Sequence, residues 1–197
     1  ATKALYRQLN DQALGARLIV WPEAAIPELA NEIADYLADI QHRSRQRGSD
    51  VIMGVVRLGD DGVNYYNSII ALTDGVAFYD KRHLVLFAET FPVPATVRSW
   101  LRLLNLPYSD FAPGSAQQEP LAAGGMHLAA SICYEDAFGG AQRRLVGRSD
   151  LMVNVTNDAW FGHSPARYQH LQISRMRAAE SGRFLLRAGN DGVSAII

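Results

Sequence analysis

Met126-His-Leu-Ala-Ala-Ser-Ile-Cys133 is an apolar run that breaks off into Tyr134-Glu-Asp136, and Leu151-Met-Val-Asn-Val155 breaks off in the same way into Thr156-Asn-Asp158. Short apolar runs closed by polar residues read as buried strands. Between these two, residues 137–145 read as a helix. Beyond them, 165–182 reads as a second helix, and 184–197 holds two strands around Gly189-Asn-Asp-Gly192. The upstream half repeats the pattern. Arg17-Leu-Ile-Val-Trp21 is a strand stopped by Pro22, and Leu29, Ile33, Tyr36, Leu37 and Ile40 fall at helical spacing within 28–47. Val51-Ile-Met-Gly-Val-Val56 and Asn67-Ser-Ile-Ile-Ala-Leu72 are further strands. Asp60-Asp-Gly62 and Thr73-Asp-Gly75 are turns, so Val76-Ala-Phe-Tyr79 closes a hairpin over 67–80. Strands alternating with helices predict an α/β layered fold. In such folds chemistry gathers beyond the C-terminal ends of strands, here after Trp21, Cys133 and Val155.

A chain of 197 residues is one domain of ordinary size, and 48% hydrophobic with 20% charged residues is a globular composition. A formal net charge of -1 argues against a nucleic-acid binder, which carries a basic excess. No run approaches the roughly 18 apolar residues of a membrane span. One cysteine, Cys133, excludes an intramolecular disulfide and a zinc site built of several cysteines, and no cofactor or metal is expected. The chain opens Ala-Thr-Lys-Ala-Leu-Tyr6, without an initiator Met or a signal-peptide pattern, and ends inside an apolar run at Ile196-Ile197. The expectation is a fragment truncated at both ends.

The stretch 84–120 differs from the rest. It contains Pro92, Pro94, Pro107, Pro113 and Pro120 and a short helical patch, Val97, Trp100, Leu101 and Leu104. It reads either as a surface excursion packed on the domain or as a lid that touches substrate.

Each chemically capable residue has an ordinary reading beside the functional one. A lone cysteine is most often a small buried hydrophobe, yet Cys133 ends a strand beside Glu135 and Asp136. As a nucleophile it would need a nearby base or cation, since few thiols ionise at neutral pH. Glu23, in Trp21-Pro-Glu23, either favours the start of a following helix or takes the thiol proton. Lys81 is either a solvated hairpin end or a fixed cation beside an oxyanion. Glu89 and Glu135 are candidates to orient it, and His83 offers a weaker pairing with the cysteine. Asn154-Val-Thr-Asn-Asp-Ala-Trp-Phe-Gly162 reads as a loop of Asx turns or as a site wall.

Trp21-Pro-Glu23, Tyr79-Asp-Lys-Arg-His-Leu84 and Ile132-Cys-Tyr-Glu135 together resemble the Glu/Lys/Cys triad of the nitrilase superfamily. The 154–162 stretch and Gln169-His-Leu-Gln-Ile-Ser-Arg-Met-Arg-Ala-Ala-Glu-Ser-Gly-Arg183 are similar to its apolipoprotein N-acyltransferase branch. The resemblance runs from about Ala16 to the end. It implies a nitrilase-like α-β-β-α sandwich, a single αββα unit here, of a kind that soluble members commonly pair. It implies Glu23 as general base, Lys81 as oxyanion stabiliser and Cys133 as nucleophile, with Glu89, Tyr134, Glu135 and Asn67 in support. Two departures stand out. The lysine motif's usual Leu-Val-Pro-Phe-Gly-Glu-Tyr is Leu84-Val-Leu-Phe-Ala-Glu-Thr90 here, and Arg-Ala-Thr-Asn-Thr-Gly is Arg187-Ala-Gly-Asn-Asp-Gly192.

The same resemblance implies a bacterial inner-membrane enzyme whose catalytic domain faces the periplasm. Residues 1–197 would then be part of that domain, without the family's N-terminal transmembrane region. The partners implied are a phospholipid acyl donor, a diacylglyceryl-lipoprotein acceptor and the membrane, with no nucleic acid. Leu86, Phe87, Trp100 and Leu101 would form a lid over lipid tails. A soluble nitrilase-type amidohydrolase uses the same triad with water as second nucleophile, and a non-catalytic α/β binding module needs none of it. Polar substitution of Trp100 or Leu101 should slow transfer and leave the thermal midpoint in place. Unchanged turnover would remove both side chains from the lid.

Overall fold

The computed structural model describes residues 1–90 and 111–197. Trp100 and Leu101 of the expected lid, and the helical patch of Val97 to Leu104, lie outside the described residues. The chain forms two mixed sheets. The first runs β1 (Leu18–Trp21), β2 (Asp50–Leu58), β3 (Tyr65–Leu72) and β4 (Val76–Asp80) in spatial order; β1 is parallel to β2 and the rest are antiparallel. The second runs β5 (Leu121–Ala123), β6 (Met126–Ile132), β7 (Leu151–Asn157), β8 (Leu185–Asn190) and β9 (Ala195–Ile196), with β6, β7 and β8 parallel at its centre. Among the described residues four α-helices flank them: α1 (Thr2–Ala13), α2 (Ala34–Arg45), α3 (Gly139–Val146) and α4 (Ala166–Ser181).

Period-two burial makes the sandwich. Along β2, Val51, Met53 and Val55 pack with Ile33, Leu37 and Ile40 under the α2 layer. Ile52, together with Ile69, Ala71 and Tyr79, enters the core shared with Leu128, Ile132 and Val153 of the second sheet. Leu145 of α3 and Ala178 of α4 join that second sheet's core. The architecture is an α-β-β-α sandwich.

Three local readings are corrected. The helix over 28–47 is a 3-10 turn at Ala30–Ile33 followed by α2, whose buried Leu37, Ile40 and Ser44 keep the expected spacing. The helix over 137–145 is preceded by a 3-10 turn, Cys133–Ala137, and starts at Gly139. The opening segment, to which the sequence pattern assigns no element, is α1, held by Tyr6 stacked on Trp21 at 4.8 Å and by Asn10 donating to Ser44 at 3.0 Å.

The sheets are pinned at one end by polar contacts to a single turn. Asp50 accepts from the Gly124 amide at 2.6 Å, and Arg17 donates to the Gly124 carbonyl at 2.6 Å. The opposite end carries the residues following Trp21, Ile132 and Val155. There Gly54 lets the chain after β1 lie directly on β2: its amide donates to the Pro22 carbonyl at 3.1 Å. A Cβ at Gly54 would stand 2.7 Å from the Pro22 oxygen and closer still to the Glu23 Cα. Gly54→Ala should therefore cost about 1–3 kcal/mol through overpacking. A denaturant midpoint equal to wild type would show that the Glu23 segment yields freely.

Candidate active site

Glu23 follows β1, Lys81 follows β4, and Cys133 follows β6, so three strand ends deliver the three side chains to one end of the sandwich. Lys81 is 1% exposed. Its backbone is clamped on both sides, the amide donating to the Asn67 carbonyl at 2.8 Å and the carbonyl accepting from Gly114 at 2.8 Å. A buried ammonium needs counter-charge. Lys81 Nζ donates to Glu89 Oε1 at 2.9 Å and lies 3.6 Å from Glu23 Oε1. Asn67 Nδ2 bridges the same two carboxylates, at 2.7 Å to Glu23 and 2.8 Å to Glu89. Glu23 Oε2 accepts from the Asn157 amide at 2.8 Å, which joins the two sheets across the site.

Burial sets the proton affinities. Desolvation pushes the Glu23 carboxyl above its ordinary range despite the pull of Lys81. Desolvation opposes the charge on Lys81, but Glu23 and Glu89 more than offset it, and Lys81 stays protonated with a raised pKa. Cys133 is pushed up to about 12, by desolvation first and by the Glu23 charge second, while Lys81 acts in the opposite direction. At neutral pH about one thiol in 10⁵ is ionised. The resting group is a thiol, and it has a carboxylate of raised basicity beside it.

The supporting residues divide sharply. Glu89 and Asn67 touch the charged centre. Glu135 does not orient the Lys81 ammonium; it binds backbone. Its Oε1 accepts from the amides of Arg82 at 2.7 Å and His83 at 3.1 Å, and its Oε2 accepts from Ile132 at 2.9 Å and from the Tyr79 hydroxyl at 3.1 Å. It thereby ties the segment after β4 to the end of β6. The Tyr134 side chain is 47% exposed and packs edge-on against Phe138, and only its amide reaches the cysteine. His83 stacks on Phe138 at 4.4 Å, and its ring faces Glu135.

Leu86 and Phe87 are 57% and 65% exposed at the tip of a tight turn. The turn is closed by Phe87 N–H to Thr90 O at 2.8 Å and by Val85 N–H to Glu89 Oε2 at 2.8 Å. Its left-handed residue is Phe87, at φ 66°, and not Ala88, so alanine at position 88 carries no strain.

Cys133 has φ 53°, in the left-handed region that non-glycine residues rarely adopt. Asn154 holds it there, donating to the Cys133 carbonyl at 3.1 Å. Behind Asn154 lies a buried cluster that the sequence reading missed: Asp136, Asp158, His170 and Arg187. Arg187 donates to Asn154 at 2.9 Å and to Asp158 at 3.0 Å. His170 meets Asp158 at 2.8 Å, and Ser174 donates to Asp136. Burial opposes the charge on His170, but Asp136 and Asp158 prevail and push its pKa up to about 9.

The profile of the carbon-nitrogen hydrolase family matches residues 2–197, and the chain belongs to that family. It is 44% identical over its whole length to an apolipoprotein N-acyltransferase of Methylococcus capsulatus, covering 39% of that protein. It is 41% identical to one of Nitrosomonas europaea, with all of this chain and 40% of that protein aligned. The chain thus spans about two-fifths of the length of these relatives. Among solved structures it is similar to a carbon-nitrogen hydrolase from Helicobacter pylori G27, with TM-score 0.71, 17% identity, and coverage of 98% of this chain and 68% of that one. An amidase from Nesterenkonia sp. gives TM-score 0.66 at 21% identity, covering all of this chain and 75% of that one. These two likenesses carry the fold.

The folded state holds the His170 proton up to about 9, whereas an unfolded histidine releases it near 6.5. Between those values the folded state binds more protons, so stability falls as pH rises through the window. The wild-type unfolding midpoint should drop between about pH 7 and 9.5, with a loss of up to about 3 kcal/mol. His170→Gln should flatten the slope; an equal slope in the variant would assign the loss to other groups.

Proposed function

We propose that this carbon-nitrogen hydrolase domain transfers an acyl chain from a phospholipid, through a Cys133 thioester, to the free α-amino group of a lipoprotein's N-terminal diacylglyceryl-cysteine. One observation carries the reading. Relatives 39–44% identical along nearly the whole chain are named apolipoprotein N-acyltransferase, and this chain gathers Glu23, Lys81, Glu89 and Cys133 into one buried site. The site is proposed to work in a protein of the bacterial inner membrane, with this domain on the periplasmic side. Among the described residues no helix is long and apolar enough to cross a membrane. The exposed Leu86 and Phe87 support contact with lipid.

Glu23 takes the thiol proton as sulfur attacks the ester carbonyl of the donor. The oxyanion that forms is held by Lys81 Nζ and the Tyr134 amide. An electrostatic donor of this kind is typically worth about 2.7–4 kcal/mol of barrier. Protonated Glu23 then gives its proton to the departing lysophospholipid oxygen. In the second half the acceptor amine attacks the thioester carbonyl, Glu23 removes the amine proton, and the thiol is regenerated. A thioester reacts with amines more readily than an oxygen ester does, so the cysteine divides one difficult transfer into two easier ones.

Incubating the full-length membrane protein with phosphatidylethanolamine and no acceptor should add the mass of one acyl chain. The adduct should be labile to hydroxylamine and absent from Cys133→Ala. A folded protein that gains no mass would turn the assignment towards hydrolysis of small amides.

A further inference from the structure

Thr156 has no part in the reaction just described, yet it stands where the nucleophile is held. β6 and β7 pair in parallel with Ile132 opposite Val155, so Cys133 and Thr156 are the next residues along the two strands. Thr156 is fully buried, and its hydroxyl donates to Asp158 Oδ1 at 3.0 Å. That carboxylate is itself fixed. His170 Nδ1 lies 2.8 Å from Oδ1, and Arg187 donates to Oδ2 at 3.0 Å. Asp136, three residues past the cysteine, lies 3.4 Å from His170 Nε2 and 3.6 Å from Arg187. With His170 protonated, two carboxylates face an imidazolium and a guanidinium. The cluster is then neutral and can remain fully buried.

A hydroxyl has one hydrogen and two acceptor lone pairs. While its hydrogen points to Asp158, the Thr156 oxygen keeps lone pairs with which it can accept the thiol S–H of the neighbouring strand end. When sulfur loses its proton, an acceptor at that position no longer helps, but the hydroxyl can turn its hydrogen to the thiolate. Asp158 tolerates the loss, because His170 and Arg187 still satisfy it. A hydrogen bond from Thr156 is among the interactions that lower the Cys133 pKa.

We propose that Thr156 is a positioning residue for Cys133: its hydroxyl holds the thiol in the resting site and swings from Asp158 to sulfur as the thiol proton passes to Glu23, on a bed made rigid by Asp158, His170, Asp136 and Arg187. No covalent bond to Thr156 forms or breaks. The S–H proton ends on the Glu23 carboxylate, and only the direction of one O–H changes. The inference rests on the reading of Cys133 as nucleophile.

The test is the rate of iodoacetamide alkylation of Cys133 across pH 7–10 in the full-length membrane protein, read by mass. A hydrogen bond to an ionised group is worth about tenfold in the thiolate population. Thr156→Val should therefore slow alkylation about tenfold at each pH, which is equivalent to raising the thiol pKa by about one unit. Thr156→Ser, which restores the hydroxyl, should recover most of the rate, a rescue that a packing role would not give. If valine prevents folding, Thr156→Ala removes the same hydroxyl without added bulk and carries the measurement. A reactive wild-type thiol with an unchanged profile in the hydroxyl-less variant overturns the inference alone. A wild-type Cys133 that does not react at all overturns both the nucleophile reading and the inference.

Discussion

A lysine ammonium with 1% of its side chain exposed is the constraint around which this end of the molecule is built. Removed from water, it is tolerable only with compensating charge in direct contact. That charge comes from two carboxylates on separate segments, Glu23 after β1 and Glu89 in the turn after β4. Asn67 then supplies hydrogens to both, which eases their mutual repulsion. With both carboxylates ionised, the three charges sum to minus one. Burial first, and then the negative charge of Glu23 that a thiolate would have to face, push the Cys133 thiol up to about 12. Proton transfer from Cys133 to Glu23 avoids that cost, because it moves a negative charge within the site without adding one. The raised pKa of Glu23 follows from the same burial and favours the same transfer. Burial raises the proton affinities of Glu23 and Cys133 against the pull of Lys81, and the shared charge balance sets the route a proton can take.

Holding such a site requires precision at the level of backbone, and the fold supplies it with carboxylates and glycines. The Glu135 carboxylate accepts from the amides of Arg82, His83 and Ile132 and from the Tyr79 hydroxyl, so the lysine and cysteine segments cannot separate without leaving a buried carboxylate unsatisfied. Gly54 and Gly114 act from the other side. The first lets the Glu23 segment lie on β2, and the second lets the 111–120 segment lie against Asp80, where a Cβ would collide with the Asp80 backbone. The Gly124 contacts to Asp50 and Arg17 pin the sheets at the far end, so the sandwich is fastened at both ends.

How far the sequence discloses this depends on the range of the interaction. Strands β1, β2, β3, β6, β7 and β8 are legible because their apolar runs and closing turns are local. Glu23, Lys81 and Cys133 each have an ordinary structural reading taken alone, and only their occurrence together in a family-like pattern singles them out. Helix α1 is not legible, since its one fully buried residue is a polar one, Asn10, and its anchors are a ring stacked on Trp21 and polar bonds such as Asn10 to Ser44. β5 is three residues long and is defined only by its pairing with β6. Spacing also could not tell Glu89 from Glu135. Both lie near the triad in sequence, but one meets an ammonium and the other meets amides, a distinction made by packing. The cluster of Asp136, Asp158, His170 and Arg187 is the extreme case, four charged residues far apart in sequence that pair with one another only once β7, β8 and α4 are in place.

The turn at 85–90 joins the buried site to the surface. Its inner residue, Glu89, is bonded to Lys81 and Asn67, while its outer residues, Leu86 and Phe87, project into solvent. The loop between them is too short to move in parts. The Val85 amide is held by the Glu89 side chain, the Glu89 amide returns to the Val85 carbonyl, and Phe87 occupies a left-handed conformation that only the closed turn repays. Displacing the apolar tip would draw Glu89 away from the lysine and leave a buried cation with half its counter-charge. Glu–Lys–Cys chemistry by itself serves attack by water or by an amine. In the proposed reaction the discriminating element is a surface that prefers apolar chains, and here that surface belongs to the same rigid turn that balances the charge. The exposed apolar tip and the counter-charge of Lys81 are thus joined within six residues, 85–90, and a change at one bears on the other.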